Sequence, residues 1–142
     1  MPLKIIDHNS KEYRQMIELR RQILRKPLGL DLSEEDMANE KDDLLIAAYE
    51  DDTMLGCCIL TQIEPNVVRL RQMAVKAGLQ GKGIGRVLLE FAENIARDRG
   101  NKKLIMHARK TAAGFYEKQG YKIAGDEYTE VTIPHFNMEK AL

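Results

Sequence analysis

Gln80-Gly81-Lys82-Gly83-Ile84-Gly85 is the most informative stretch of this chain. It lies between an apolar segment that ends near Val75 and an amphipathic segment that begins near Ile84. Glycine has no Cβ atom, so ligand oxygens can approach its backbone closely. The first N–H groups of a helix lack partners inside the helix and lie at the positive end of its dipole. The stretch therefore predicts a turn that binds phosphate.

Three apolar segments precede this turn and are predicted as strands at residues 44–49, 54–63 and 67–75. The linkers at 50–53 and 64–66 are too short for a parallel crossover, so these strands are expected to form antiparallel hairpins. Gly56 lies inside the second strand, where a glycine often marks a β-bulge.

The clearest helix follows the turn, because apolar residues recur at i, i+3 and i+4 from Ile84 to Ala96. Gly100 is placed to end it. Glu93 and Arg97 are spaced for an ion pair, which we expect on the outer face. The next strand, at 103–108, is expected to run parallel to its neighbour because a whole helix separates the two.

The remaining segments complete a layered pattern. The sequence predicts a helix capped by Ser10, a helix closed by Gly120, and further elements at 3–7, 33–40, 121–125 and 132–139. This order predicts an α+β fold in three layers (α/β/α), with a mixed, mostly antiparallel sheet of about six to seven strands.

Composition narrows the class of protein. The 142 residues suit a single domain spanning 1–142, and the 22 basic and 22 acidic side chains balance, which argues against a nucleic-acid surface. No apolar run approaches the ~20 residues that span a bilayer, and the start lacks a signal-peptide segment. Cys57 and Cys58 are adjacent and are interpreted as buried strand residues, not as zinc ligands. We therefore expect a cytoplasmic protein without metal or membrane partners.

Two kinds of phosphate loop do not match the turn. The P-loop pattern G-x-x-x-x-G-K-[ST] does not occur in the chain. The dinucleotide pattern G-x-G-x-x-G would need a third glycine at Arg86 or Leu88. It also needs an acid at the end of the next strand, which here ends His107-Ala108-Arg109. Three antiparallel strands before the loop are likewise untypical of a dinucleotide-binding sheet.

A third kind of loop does match. Gln80-x-x-Gly83-x-Gly85 resembles the [QR]-x-x-G-x-[GA] loop of the GNAT superfamily of acyl-CoA N-acyltransferases. The resemblance extends to the preceding strand, 71–75, and to the second signature Ala112-x-x-Phe115-Tyr116-Glu117-x-x-Gly120-Tyr121. Residues 19–29 and the segment Ile133-Pro134-His135-x-x-Met138 further resemble the small bacterial YjcF/ElaA-like branch.

The resemblance implies acetyl-CoA as co-substrate. It implies that the strand at 67–75 splays from the strand at 103–108, that the thioester arm lies in the gap, and that the Met73 N–H polarises the thioester carbonyl. Arg109 stands where many relatives have Asn, and it is expected to reach a CoA phosphate instead. The implied cofactor contacts are Met73, Ala74, Val75, Gln80, Gly81, Lys82, Gly83, Ile84, Gly85, Arg86, Arg109, Ala112 and Tyr116.

The resemblance also assigns catalysis. Tyr116 is implied as the acid that protonates the leaving thiolate, while Phe115 beside it is expected in the core. His135 is the first candidate for the base, because the pKa of histidine suits proton transfer near neutral pH. The alternatives for the base are a water chain or one of His107, Glu64, Glu127 and Glu130.

The acceptor is expected to be a small-molecule amine that attacks the thioester directly. A protein lysine or N-terminus is the alternative acceptor, and a CoA-binding sensor without turnover is the alternative function. Homodimers are common in the family, so a homodimer is left open. The segment 20–40 is expected to form a wall of the acceptor site. It carries both basic and acidic side chains, so it does not predict the charge of the acceptor. These charged residues are Arg20, Arg21, Arg25, Glu34, Glu35 and Asp36.

Overall fold

A central sheet of eight strands organises the protein, and the computed structural model describes all residues from Met1 to Leu142. The strands are β1 Leu3–Ile6, β2 Leu44–Glu50, β3 Thr53–Glu64, β4 Val67–Val75, β5 Lys103–Arg109, β6 Lys122–Ile123, β7 Tyr128–Glu130 and β8 Ile133–Ala141. Their spatial order is β1-β2-β3-β4-β5-β8-β6, and β7 also pairs with β8.

The helices are α1 Lys11–Arg20, α2 Glu34–Ala38, α3 Ile84–Asp98 and α4 Ala113–Lys118. The Ser10 hydroxyl accepts a hydrogen bond from the Tyr13 N–H and so caps α1, as predicted. Past Arg20 the chain continues as a π-helical turn over Arg21–Arg25. Such turns are frequent at functional sites. None of the helices has the length and apolar character needed to cross a membrane.

Two hydrophobic cores lie on the two faces of the sheet. On one face, α3 packs against β2, β3 and β4 around fully buried residues such as Leu88 and Leu104. On the other, α1 packs against β3 and β4 around Met16 and Ile59. The predicted three-layer class is therefore confirmed. The sheet has one strand more than predicted, because β7 is too short to carry a periodic pattern.

The predicted strand directions are also correct. Strands β2, β3 and β4 form an antiparallel meander, and β4 runs parallel to β5. A register shift opposite Ala48 and Tyr49 leaves Leu55 of β3 unpaired, so the predicted bulge lies directly beside Gly56. The parallel ladder ends at the pair Leu70–Met106, so the remainder of β4 and β5 diverges. This is the splay that the family resemblance implied.

Glu93 corrects one expectation about α3. Its contact with Arg97 exists at 4.0 Å, but Glu93 is only 5% exposed and does not lie on the outer face. Its carboxylate accepts a hydrogen bond from the Tyr121 hydroxyl at 2.8 Å and pairs with Lys140 at 3.1 Å. Those partners come from later segments of the chain and hold α3 to the end of the sheet.

A buried ion pair fixes α1 to the segment before β2. The Arg20 guanidinium donates to both oxygens of Glu40 at 2.7 and 2.8 Å, and the Tyr13 hydroxyl donates to the same carboxylate at 2.6 Å. Arg20 and Glu40 are essentially unexposed. Burial opposes ionisation of Glu40, but Arg20 holds the pKa of that carboxyl below its usual range.

Candidate functional site

The glycine-rich turn between β4 and α3 has the backbone that the sequence predicts. Gly81 and Gly83 have φ values of 81° and 88°, in the left-handed region that favours glycine. The N–H groups from Gly81 to Arg86 donate to no group in the protein, and the first bonded N–H is that of Val87, to Gly83 O at 3.1 Å. This row of free donors at a helix start is an anion site by its geometry.

The side chain of Gln80 holds this turn in place. Its Nε2 donates to the Val75 carbonyl at 2.8 Å, and its Oε1 accepts from the Gly78 N–H at 3.1 Å. Gln80 therefore joins the end of β4 to the turn through both ends of its amide. Both polar groups of its side chain are already hydrogen-bonded within the protein, so the side chain positions the backbone of the turn.

A cavity of about 510 Å³ opens beside the turn and is named here the loop cavity. The end of β4, the turn and α4 form its walls. Arg86 is the charged side chain among its lining residues, which are Ile23, Met73, Ala74, Val75, Leu79, Gln80, Gly81, Gly83, Gly85, Arg86, Ala112, Phe115, Tyr116 and Gln119.

A second cavity of about 520 Å³ lies on the other side of the splay and is named here the arginine cavity. Residues 24–28 after α1, the diverging parts of β4 and β5, and the hairpin of β7 and β8 enclose it. Its charged and titratable lining residues are Arg25, Arg69, Arg71, His107, Arg109, Tyr116, Glu130 and His135.

The two cavities share the residues Met73, Ala112 and Tyr116. Tyr116 is only 7% exposed, and its hydroxyl forms no hydrogen bond within the protein. Burial, and then the neighbouring Cys58, raise the pKa of Tyr116 well above that of a free phenol. The hydroxyl therefore stays protonated and available as a donor at the junction of the two cavities.

A kink in β4 shapes this junction. Cys57 pairs with Ala74 while Ile59 pairs with Arg71, so β4 carries one extra residue. Gln72 absorbs it with a φ of 56°, which is unusual for a residue other than glycine. The kink lies immediately before Met73 and after the last paired residue, Leu70, so it accompanies the divergence from β5.

His135, the first candidate for the base, lies in the arginine cavity. Its Nδ1 is 2.8 Å from the Ile133 carbonyl, which only accepts, so Nδ1 carries the proton and Nε2 is free in the neutral ring. Glu130 lies 3.4 Å from that Nε2 and 3.3 Å from Nδ1 of His107. Arg69 Nη2 lies 2.9 Å from the same His107 nitrogen.

Several predicted residues lie away from the roles assumed for them. Arg109 lines the arginine cavity and is absent from the wall of the loop cavity; its Nη2 contacts the Leu24 carbonyl at 3.4 Å. Glu64 lines neither cavity, and Glu127 pairs with Lys110 at 2.8 Å outside both. Of the acidic candidates for the base, Glu130 alone lines either cavity.

Ala74, Ile84 and Lys82 offer no polar side-chain contact in the loop cavity. The side chains of Ala74 and Ile84 are 2% and 7% exposed and belong to the two cores. Lys82 is exposed and does not line the loop cavity. The expectation that Phe115 is a core residue is wrong, since it is 36% exposed. Its ring lies against Gly85 and lines the loop cavity.

Only part of the predicted acceptor wall lines the arginine cavity. Arg20 is buried with Glu40, and Arg21 pairs with Asp31 at 2.7 Å. Of the charged residues that the sequence offered between 20 and 40, only Arg25 lines the cavity. The mixed charge of residues 20–40 therefore does not describe the charge that lines the arginine cavity.

Sequence reasoning missed Arg69 as a site residue. A signal for it exists: Arg69 and Arg71 alternate with apolar Val68 and Leu70, which predicts one polar face on β4. A polar face on a strand in the middle of a sheet is unusual unless it lines a site. The same alternation puts His107 and Arg109, both already candidates, on one face of β5.

A comparison with protein families agrees with this geometry. The model of the family described as acetyltransferase (GNAT) domain matches residues 11–142. The Bacillus subtilis N-acetyltransferase YjcF, itself uncharacterized, is 23% identical over 139 residues that cover 96% of this chain and 97% of YjcF. The predicted resemblance is thereby confirmed.

Solved structures give the same fold. One from Lactobacillus plantarum, which carries a provisional N-acetyltransferase name, is 26% identical, covers 100% of this chain and 99% of its own, and has a TM-score of 0.88. The PaiA N-acetyltransferase of Thermoplasma acidophilum, solved in complex with coenzyme A, is 23% identical with full coverage of both chains and a TM-score of 0.75.

Proposed function

Because the chain belongs to the acetyltransferase (GNAT) domain family, we propose that it transfers an acetyl group from acetyl-CoA to the primary amine of a small molecule. Residues 1–142 would work as one N-acetyltransferase domain. The observation that carries the proposal is that the loop cavity and the arginine cavity meet at Met73, Ala112 and Tyr116. Two reactants could approach across this shared wall, as direct transfer in a ternary complex requires.

The loop cavity is the proposed site of acetyl-CoA. The free N–H groups from Gly81 to Arg86 would hold the pyrophosphate, with Arg86 adding positive charge beside it. The chain from Arg71 to Val75 pairs with β3 on one side and has no partner on the β5 side. It could therefore pair with an extended pantetheine arm as a strand pairs with a peptide. When bound, acetyl-CoA supplies an activated thioester.

Tyr116 is proposed to protonate the leaving sulfur. Its hydroxyl has no competing partner in the protein, and the residue lines both cavities. Although burial raises the pKa of Tyr116, the same burial raises the proton affinity of a thiolate. The buried Cys57 illustrates this, because burial raises the pKa of its thiol to about 12. A thiolate that loses solvent is thus a better acceptor for the Tyr116 proton.

His135 is proposed to take the proton of the attacking amine. The Ile133 carbonyl fixes its tautomer, so Nε2 presents the lone pair. Glu130, 3.4 Å from Nε2, would stabilise the imidazolium that forms. A water held between Glu130 and the amine is the alternative route for the same proton, and the two routes differ in whether His135 is essential.

Direct attack is preferred over an acetylated enzyme. Both cysteines are free and fully buried, and burial raises the pKa of each thiol. A buried protonated thiol is a poor nucleophile. Two free cysteines also suit a reducing compartment, so we propose the cytoplasm as the location.

The size of the arginine cavity supports a small acceptor. Its volume of about 520 Å³ falls within the ~300–1,000 Å³ that is usual for small-molecule sites. A protein lysine is the alternative acceptor, and it would have to enter between the 24–28 segment and the β7–β8 hairpin.

A thiol-release assay tests the proposal. The protein is incubated with acetyl-CoA and a panel of amines, and free CoA is followed with a thiol reagent; a reaction without amine corrects for hydrolysis. Both protein cysteines are buried and will not react in the folded state. Release with one class of amine supports the proposal. Tight binding of CoA without release across the panel would identify a sensor, and no binding would refute both functions.

A further inference from the structure

The charge of the arginine cavity is strongly one-sided. Its lining includes Arg25, Arg69, Arg71 and Arg109, and Glu130 is the only acidic side chain among the lining residues. Arg71 is partly neutralised, because Asp43 lies 3.4 Å from its Nη1. The other arginines make no ion pair with any carboxylate of the protein, so the cavity keeps an excess of positive charge.

The polar contacts of these arginines are few. Arg69 contacts the ring of His107 at 2.9 Å, and Arg109 makes a long contact of 3.4 Å with the Leu24 carbonyl. The Nε atoms of Arg25 and Arg69 are buried and have no hydrogen-bond partner. The protein neutralises neither guanidinium group, so both remain suited to an anionic ligand.

The electrostatics support the same conclusion. Burial lowers the pKa of Arg25, and the like charges of Arg20 and Arg109 lower it further. Burial and the neighbouring Arg71 lower the pKa of Arg69. An anion in the cavity would relieve both effects. The planar guanidinium fork matches carboxylate and phosphate groups in particular, since it can donate two parallel hydrogen bonds to them.

We propose that the acetyl acceptor is a primary amine that also carries a carboxylate or phosphate group, and that Arg69, with Arg25 and Arg109, binds this anionic group. The inference rests on the proposed function, because it names the substrate class of the same site. The phosphates of CoA are not the anion in question, since the turn from Gly81 to Arg86 belongs to the other cavity.

The cavity also offers a partner for the amine end of the acceptor. Glu130 is the one carboxylate of the cavity and lies against both His107 and His135. The amine end of the acceptor would be attracted to that carboxylate, while the anionic end is drawn to the arginines.

Matched pairs of acceptors test the inference. L-lysine is compared with cadaverine, which lacks the carboxylate, and glucosamine 6-phosphate with glucosamine, which lacks the phosphate. In at least one pair we expect kcat/KM to favour the anionic member by about 10- to 100-fold, as for loss of a charge-assisted hydrogen bond. The pair that responds identifies the anion.

Variants of Arg69 connect this preference to the cavity. Arg69→Gln is expected to bring the ratio within each pair close to one, mainly through KM, while Arg69→Lys keeps the charge and part of the preference. Arg69 has no carboxylate partner, so its removal leaves no buried acid unpaired and the fold is expected to persist. Arg99→Gln, an exposed change at the far end of α3, is the matched control.

The outcomes separate the two proposals. Thiol release that is equal for both members of each pair and unchanged in Arg69→Gln would overturn the inference and leave the proposed function standing. If no amine releases thiol, calorimetry with the anionic members decides. Binding that Arg69→Gln abolishes would support the anion site without the enzyme. Absence of binding in the wild type would overturn both.

Discussion

Replacing Tyr116 with phenylalanine removes one hydroxyl group from the junction of the two cavities and changes little else. The ring keeps its edge-on contacts with Phe115 and Tyr121, at centroid distances of 5.0 and 5.9 Å. The lost hydroxyl has no hydrogen-bond partner in the protein, so the free energy of unfolding should change by less than about 1 kcal/mol.

The effect on turnover should be far larger. General acid catalysis contributes about 100- to 10,000-fold to rate, so kcat should fall by that factor, equivalent to about 2.7–5.5 kcal/mol of barrier. The affinity for CoA should be unchanged, because the proposed contact is made with the sulfur only as it leaves. Steady-state kinetics by thiol release, together with urea denaturation, measure the two quantities on the same preparation.

Tyr121→Phe is the matched control, with the opposite pattern expected. The Tyr121 hydroxyl donates to the buried Glu93 carboxylate at 2.8 Å, so its loss should cost about 1.5–3 kcal/mol of stability. It lines neither cavity, and kcat should stay near that of the wild type. A folded Tyr116→Phe protein whose kcat stays within about threefold of the wild type would refute the role given to Tyr116.

Three further expectations follow from the backbone and from burial. Gly83→Ala forces an alanine to a φ of 88°, so it should lower the free energy of unfolding by about 1 kcal/mol and weaken CoA binding. The control is Gly114→Ala, a helical position with open space around it, which should be neutral or stabilising. Equal CoA affinities of the two variants by calorimetry would contradict this. Gly56→Ala should lower the free energy of unfolding, measured with urea, by about 1–3 kcal/mol, because a Cβ would lie 2.9 Å from Leu88 and 3.1 Å from the Ala74 carbonyl. An unchanged midpoint would show that the core accommodates the extra methyl group without cost. Burial raises the pKa of all the tyrosines, to about 12 for Tyr49. Tyrosine in the unfolded chain ionises near pH ~10, so this contribution to stability is complete below that pH and is lost as the pH rises above it. Stability that is constant to pH ~11 would be incompatible with these shifts.

Periodicity and short linkers were sufficient to predict most of the fold. The antiparallel meander of β2 to β4 follows from linkers that are too short for any other connection, and the parallel direction of β5 follows from the helix before it. Strand β7 could not be predicted, because it has three residues and depends on a turn at Val131 and Thr132. Both have positive φ values, which turn rules do not expect of β-branched residues.

The part of the site that depends on glycine backbone conformation was predictable from the sequence, and the rest was much less so. Gly81 and Gly83 identify the loop directly. The exposure of Phe115 depends on a gap that helical spacing does not encode. The importance of Arg69 depends on which face of β4 remains open once α1 has packed, and that is a property of the assembled layers.

The divergence of β4 and β5 has a consequence for how the protein behaves in solution. Past Leu70 and Met106, each strand has a neighbour on one side only, so the middle of the sheet contains two strand edges. Such edges can recruit any extended chain, including that of another molecule. A ligand that lies in the gap would cap both edges at once. A ligand bound along these edges is therefore expected to reduce their pairing with other molecules.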